Sequence, residues 1–268
     1  IIYSLSLNNI YTDKAVLAPE SENSYSGNSA LSGFAGLAGI SLPQESVNKV
    51  TIGIETIKSL YFFKNFVENH DVLVPLMASS EWNDSAKKLI LDPNIYDEVN
   101  KKWILQDGLS EYTIPNMQEA HEKFLGLLHI TQDSKSGLIL LKVDHISPVV
   151  AKNWVDWIIN DINRISQIHD IRKSKKAINY LNEQINLTNL NESKDLMFNL
   201  LQTELHTIML ANTNTEYLFR AIDPAVVPFK KSRPFRSIIV LSFAIFGFIA
   251  VSMFVLIYNL YFLQTEDR

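Results

Sequence analysis

The chain has 268 residues with a net charge of −5, and it contains no cysteine. The acidic balance argues against nucleic acid as a partner, because phosphate backbones attract basic surfaces. A sequence without cysteine forms neither disulfides nor thiolate metal sites. Roughly 230 residues remain once a strongly apolar C-terminal run is set aside, which is enough for one sizeable core.

The first seven residues, Ile1–Leu7, are mostly apolar and too few to cross a bilayer. They have two interpretations: the end of a first transmembrane helix whose beginning precedes the sequence, or an ordinary strand. Residues 11–19 then predict a strand that ends at Pro19. If the first interpretation holds, this strand begins close to the bilayer.

Residues 20–43 start as a polar Ser/Asn linker and end in small and apolar residues. Gly33, Gly36 and Gly39 are spaced by three, and glycine at such positions lets backbones approach closely. The pattern is not a dinucleotide-binding motif, because no strand leads directly into it. It is either a flexible loop or a packing segment against a neighbouring subunit or the membrane surface.

Residues 8–147 are predicted to be the N-terminal part of an α/β base domain. Their apolar spacing predicts helices over 46–71 and 116–130. Residues 137–143 are a largely apolar run, which predicts a buried strand in a sheet covered on both faces.

A long helix is predicted next, with Ser147 as its N-cap and Pro148 in its first turn. Its apolar residues recur every three or four positions, as in a coiled coil. At about 1.5 Å per residue the helix is roughly 60 Å long, too long for one compact core. A turn follows in which Asn189 has capping-box spacing. Residues 148–212 therefore predict a long helix and an antiparallel helical hairpin that projects from the base.

Residues 213–223 predict the closing strand of the base domain, and residues 224–237 form a connector that leads into the membrane. Proline fixes φ and lacks an N–H donor, so the connector is expected to be stiff and extended. Its basic residues can meet lipid phosphates. The residues singled out here are Pro224, Pro228, Pro234, Lys230, Lys231, Arg233 and Arg236.

Residues 238–262 are predicted to be a transmembrane helix, followed by a tail over 263–268. The run Ile238–Tyr258 carries no charge and is about 30 Å long as a helix, which matches the hydrocarbon core of a bilayer. The alternative, a buried core helix, rarely runs this long without a charge. Gly247 is a candidate position for close helix packing.

No sequence motif points to catalysis. The phosphate-binding loop, the paired-histidine zinc helix and the nucleophile elbow are missing from the sequence, and its histidines are scattered. We therefore predict a protein that is not an enzyme, with no catalytic residues, no cofactor and no metal site.

Three stretches resemble one family. "SLSLNNIYTDKAVLAP" resembles the segment after the first transmembrane helix in the Wzz family, the bacterial polysaccharide co-polymerases or chain-length determinant proteins. "YLFRAIDPAVVPFKKSRPFRSIIVLSFAIFGFIAV" resembles that family's proline-rich approach to its second transmembrane helix. "LSGFAGLAGI" is similar to a segment in related exopolysaccharide-transport members.

The resemblance implies an inner-membrane protein with cytoplasmic termini and a periplasmic α/β domain. It implies a ring-like homo-oligomer that sets the length of a surface polysaccharide, such as O-antigen, made by a separate polymerase. The expected partners are that polymerase, a lipid-linked glycan and the bilayer. The expected fold class is α+β: a membrane-proximal base, a long helix with a hairpin projection and a C-terminal transmembrane helix.

The charge distribution favours a different topology. Basic residues precede the apolar run, so the positive-inside rule alone places residues 1–236 in the cytoplasm. A first span upstream would override this, since the first helix usually dominates orientation. The alternatives are a tail-anchored cytoplasmic enzyme or adaptor with a site assembled from 72–130, and an exopolysaccharide-export co-polymerase lacking its kinase domain.

Overall fold

The computed structural model describes residues 7–20, 49–104, 115–188 and 190–266. Helices and strands are mixed, as the α+β class predicts, and the last helix is long and apolar. The predicted packing segment with Gly33, Gly36 and Gly39 lies outside the described residues. Of the predicted helix end Ile1–Leu7, the structure describes Leu7. In chain order the elements are β1 (Tyr11–Pro19), α1 (Lys49–Lys58), α2 (Leu60–His70), α3 (Leu73–Met77), β2 (Ser79–Asn83), β3 (Lys88–Leu91), β4 (Tyr96–Asp97), β5 (Lys102–Trp103), α4 (Met117–Leu127), β6 (Leu128–Gln132), β7 (Ile139–His145), α5 (Pro148–Leu187), α6 (Asn191–Thr213), β8 (Phe219–Asp223) and α7 (Arg236–Glu266).

The main sheet has the strand order β6-β7-β1-β8, and every neighbouring pair is antiparallel. Ala15 on β1 lies opposite Leu141 on β7, and Ile130 on β6 lies opposite the same leucine on its other side. The first and last strands of the described chain are therefore neighbours, although about 200 residues separate them in sequence.

Only one face of this sheet is fully buried, so the prediction of a sheet covered on both faces is wrong. Leu141 and Val143 on β7 are buried, whereas Leu140 and Lys142 between them are partly exposed. Antiparallel sheets commonly alternate in this way, because helices cover one face and water reaches the other. The apolar Leu140 made the run look continuous, but it lies on the outer face beside Val16.

The buried face is covered by helices whose aromatic side chains form the centre of the core. Phe63 and Phe66 of α2 lie 5.2 and 5.6 Å from the ring of Phe124 on α4. Trp154 of α5 completes the cluster, 6.1 Å from Phe124. All four side chains are fully buried. Such offset and edge contacts add to the stabilisation that burial of the rings provides.

The helix predicted over 46–71 is two helices, α1 and α2, that meet at Ser59. The Ser59 hydroxyl accepts the backbone N–H of Phe62 at 3.1 Å and thereby caps α2. Serine is a favoured N-cap residue, and here it begins a new helix within a stretch whose apolar spacing continues without a break. The helix predicted over 116–130 is also shorter. It ends at Leu127, and Leu128 and Ile130 enter the sheet as part of β6.

The predicted cap of α5 is confirmed. The Ser147 hydroxyl accepts the N–H of Val150 at 3.3 Å, and Pro148 occupies the first turn. Up to Asn163 the helix packs on the sheet; beyond that residue its side chains are mostly exposed. It then packs along α6, which begins at Asn191 with Leu190 as its N-cap and without a side-chain cap. The predicted cap, Asn189, lies outside the described residues.

Candidate functional site

The connector pairs with the residues that precede β1. The N–H of Ile10 donates to the carbonyl of Arg233 at 2.9 Å, and the N–H of Ser232 donates to the carbonyl of Ile10 at 2.8 Å. The N–H of Thr12 donates to the Ser232 hydroxyl at 3.1 Å. The two ends of the described chain are therefore joined by backbone hydrogen bonds just before helix α7 begins.

Side chains strengthen this junction. Arg236 donates through Nη2 to the carbonyl of Leu7 and to Oδ1 of Asn9, both at 3.2 Å. Lys231 donates through Nζ to the same Asn9 oxygen at 3.1 Å. These basic residues are attached to the N-terminal segment, so the connector is more than a loose juxtamembrane linker.

Asp144, on the central strand β7, anchors the junction to the sheet. Its carboxylate is 3% exposed and receives hydrogen bonds from the Thr12 hydroxyl and the Arg233 guanidinium. His129 on the edge strand β6 lies 3.2 Å from Oδ2 of the same carboxylate. A buried carboxylate needs such partners, because an unpaired buried charge is strongly unfavourable.

The structure thus brings together Arg233, Arg236 and Lys231, three of the basic residues that the sequence singled out. Lys230 forms no hydrogen bond or ion pair with the residues that the structure describes. Beside it, Phe229 is 94% exposed. Contact between the connector and lipid stays a prediction. The other connector residues that the sequence singled out are Pro224, Pro228 and Pro234.

Asp13 lies on the opposite, buried face of β1. Its Oδ1 accepts the N–H of Val226 in the connector at 3.3 Å, whereas its Oδ2 is buried without a hydrogen-bond partner in the described part of the chain. Burial raises the pKa of Asp13 above its ordinary value, against the opposing effect of the N–H groups of Lys14 and Val226.

His145, at the end of β7, is a buried and neutral histidine. Its Nδ1 accepts the N–H of Ser147 at 2.9 Å, and its Nε2 lies 3.0 Å from the carbonyl of Pro75. Burial beside Trp154 lowers the pKa of His145 from 6.5 to about 4. This ring therefore joins β7, α3 and the start of α5.

A cavity of about 260 Å³ opens beside the junction. Its walls are the N-terminal segment, strand β2, the residue after β7 and the first residue of α7. The polar and aromatic side chains that line it are Asn8, Asn9, Tyr11, Glu81, Trp82 and Arg236.

Helix α7 is long and apolar enough to cross a membrane. An 18-residue window within Arg236–Leu256 has a mean hydropathy of 2.7, and none of the residues in that window is buried against the rest of the chain. A Cβ atom added to Gly247 would meet no neighbouring atom, so this position has room for a close neighbour. Whether Gly247 packs against another helix stays a prediction.

No cluster of three or more His, Asp or Glu side chains within residues 7–20, 49–104, 115–188 and 190–266 is arranged to hold a metal ion. The histidines in these ranges have structural partners instead. His121, for example, lies 2.8 Å from the carbonyl of Lys58.

Sequence reasoning missed the acidic and amide partners of the junction, Asp144, Asp13 and Asn9. Asp144 directly follows the apolar stretch 137–143, and a charged residue at that place in the sequence is the one available signal. Its partner Arg233 is 89 residues away in sequence, so no local pattern reveals the pair.

No protein-family model and no curated protein matches the chain. Among solved structures, the chain is similar to a fragment of WzzB, a polysaccharide co-polymerase from Salmonella Typhimurium, with 11% identity, 84% of this chain and 100% of that chain covered and a TM-score of 0.31. It is also similar to a full-length bacterial polysaccharide co-polymerase, with 12% identity, 96% and 88% coverage and a TM-score of 0.33. Both are polysaccharide co-polymerases, the class of protein that the sequence resembles.

Proposed function

We propose that this protein regulates the chain length of a surface polysaccharide, O-antigen or a related polymer, as an oligomeric scaffold in the bacterial inner membrane. The polymer is made by a separate polymerase, and the bulk of this chain lies in the periplasm. The proposal is supported by the resemblance of the connector and of the residues around β1 to the Wzz family.

The geometric observation behind the proposal is the attachment of the apolar helix to the base sheet. The connector reaches the central strand through Arg233 and Asp144 and the N-terminal segment through Arg236. A scaffold that positions a membrane-bound polymerase needs such a coupling, because a flexible linker would not hold a fixed distance or angle.

The long helix is suited to extend away from the membrane. It begins beside the junction, three residues after His145, and its 40 residues span about 60 Å. Because only its first part packs on the sheet, the remainder and α6 form a hairpin whose tip is the turn near Thr188.

The hairpin carries apolar side chains that it does not bury within one chain. Its most exposed members include Leu187, Leu190, Phe198 and Met209. Large exposed apolar patches mark contact surfaces in soluble domains. In the proposed assembly, protomers stand side by side in a ring and cover these residues with one another.

The proposed mechanism is positional. The protein places the polymerase or the lipid-linked glycan, and the geometry of the oligomer sets the probability that synthesis stops. Within the bilayer, the open surface at Gly247 permits close approach of a polymerase helix. Such a role needs no nucleophile, base or bound metal in this chain.

Deletion of the gene tests the proposal. Polymer synthesis should continue, but the polymer on a gel should no longer show a preferred chain length, the mode of its length distribution. Complementation with Trp154→Ala, which removes a fully buried ring from the base, should shift or broaden the mode. Lys230→Gln, which removes a charge without a described partner, should restore the normal mode. Loss of all polymer on deletion would contradict the scaffold role and favour a catalytic one.

A further inference from the structure

The cavity beside the junction combines a position at the membrane surface with two opposite charges. Arg236 is the first residue of the candidate span, so a chain that crosses the bilayer through α7 carries this cavity at the level of the lipid headgroups. Trp82 and Tyr11 line the same space, and amphipathic rings favour this interface.

The two charged side chains of the cavity, Glu81 and Arg236, form no ion pair within 4.0 Å with the residues that the structure describes. The guanidinium of Arg236 donates to neutral oxygens of Leu7 and Asn9. Arg236 therefore lines the cavity with no described carboxylate against it, and Glu81 places a carboxylate without a described ion-pair partner on the wall of the same space.

We propose that this cavity binds the headgroup of a zwitterionic phospholipid that carries a primary ammonium group. Its phosphate binds Arg236, whose planar guanidinium suits phosphate oxygens. Its ammonium group binds Glu81, with the indole of Trp82 as a second, cation–π partner. A water molecule takes up about 30 Å³ of liquid volume, so a cavity of 260 Å³ holds a phosphate and a short ammonium arm together.

The site is expected to distinguish phospholipids by the chemistry of their headgroups. A primary ammonium has three N–H donors for Glu81 and the neighbouring Asn8, whereas a quaternary choline group has none. An anionic glycerol headgroup offers the phosphate but no cation for Glu81. Phosphatidylethanolamine therefore satisfies both charges, while phosphatidylcholine and phosphatidylglycerol each satisfy one of them fully.

The test measures lipid retained by the full-length protein in detergent, by native mass spectrometry, with phosphatidylethanolamine, phosphatidylcholine or phosphatidylglycerol added at equal concentration. We expect phosphatidylethanolamine to bind about tenfold more tightly than the other two, the effect of one charge-assisted hydrogen bond. Glu81→Gln should reduce the preference over phosphatidylcholine to near unity. Arg236→Gln should weaken binding of all three lipids.

The exposed Lys176 of α5 supplies the control, because Lys176→Gln lies outside the cavity lining and should keep the preference for phosphatidylethanolamine. Glu81 is itself exposed, so Glu81→Gln should fold even if Arg236→Gln does not.

Equal retention of the three lipids by the wild type, or an unchanged preference in Glu81→Gln, would overturn the proposal. So would binding of soluble phosphoethanolamine or inorganic phosphate without retention of the lipid, since the ligand would then not be a membrane component. The assay measures binding rather than polymer length, so its outcome is separate from that of the proposed function.

Discussion

Arg233 of the connector donates a hydrogen bond to Asp144 on the central strand of the sheet, and the two side chains differ sharply in exposure. The guanidinium side chain is 55% exposed, whereas the carboxylate is 3% exposed. The pair therefore spans the boundary between sheet and connector, with its acidic member fixed inside. Since the connector continues directly into α7, this contact links the orientation of the apolar helix to the sheet.

Replacing Arg233 by Gln should destabilise the protein by about 1–3 kcal/mol, because the buried Asp144 then keeps Thr12 and His129 as its side-chain partners among the described residues. Lys230→Gln is the matched control and should change stability by less than about 0.5 kcal/mol. Thermal unfolding in detergent measures both. The double variant with Asp144→Asn should be less destabilised than the sum of the single variants; simple additivity would show that the pair does not interact.

Asn163 should be the most important polar residue of the hydrogen-bonded contact between α5 and the edge strand β8. Its side chain accepts the N–H groups of Leu218 and Phe219, both at 2.8 Å, and donates to the carbonyl of Phe219 at 2.9 Å. Asn163→Leu keeps a similar volume but leaves these buried groups unpaired, so we expect a loss of about 2–4 kcal/mol.

Hydrogen exchange followed by mass spectrometry gives the local measurement. Peptides that cover β8 should exchange faster in Asn163→Leu, whereas Asn65→Ala, on the surface of α2, should leave them unchanged. Protection of β8 equal to that of the wild type would show that the strand is held by sheet pairing alone.

The fold was predictable where the signal is local. The strand that ends at Pro19, the Ser147 cap and the apolar run after Ser237 each depend on neighbouring residues, and each occurs where it was predicted. The break at Ser59 was missed because apolar residues continue through it with helical spacing, and only the backbone geometry shows that the serine is a cap.

The candidate site was only half predictable. The basic residues of the connector stand out in the sequence, because charge and proline cluster before an apolar run. Their acidic and amide partners, such as Asp144 and Asn9, come from distant parts of the chain and are brought near by strand pairing. Whether the outer face of the sheet is covered also depends on which helices pack against it. The sequence of β7 alone does not determine this.

His145 should make the protein sensitive to mild acid. The unfolded chain binds a proton on this histidine near pH 6.5, but the folded protein binds it only near pH 4, because the ring is buried. Between these values the unfolded state binds more protons than the folded state. The contribution of His145 to the free energy of unfolding is therefore fully present above pH 6.5 and falls as the pH drops, by at most about 1.4 kcal/mol per pH unit. Thermal unfolding from pH 7.5 to 4.5 should show a smaller decline for His145→Gln. His169→Gln, at an exposed site, should decline like the wild type; identical slopes for all three proteins would contradict the assignment.

Asp13→Asn should raise the melting temperature at neutral pH. Burial raises the folded-state pKa of Asp13, so the charged form is disfavoured in the folded protein once the pH exceeds its ordinary value of 3.8. The amide oxygen can still accept the N–H of Val226. The gain should shrink as the pH falls through 3.8, since well below that value the Asp13 carboxyl is neutral in both the folded and the unfolded state.

Asp133→Asn provides a contrast of opposite sign. The N–H groups of Ser136 and Lys135 lower the pKa of the exposed Asp133, so this carboxylate favours the folded state above pH 3.8 and its contribution is lost in acid. Asp133→Asn should therefore give no gain at neutral pH. An equal rise in melting temperature for both variants would point to a general effect of removing negative charge rather than to the burial of Asp13.

The turn at Thr188 is the place to test topology. It joins α5 to α6 at the tip of the hairpin, far from the sheet core, so an inserted reporter should leave the base folded. If residues 8–236 lie in the periplasm, alkaline phosphatase inserted there should be active in intact cells, because it folds only in an oxidising compartment. The same reporter fused after Glu266, on the other side of the apolar helix, should be inactive. Inactive phosphatase at Thr188 together with an active fusion after Glu266 would reverse the orientation, as the basic residues before α7 favour by charge alone, and would exclude a role beside a periplasmic polymer.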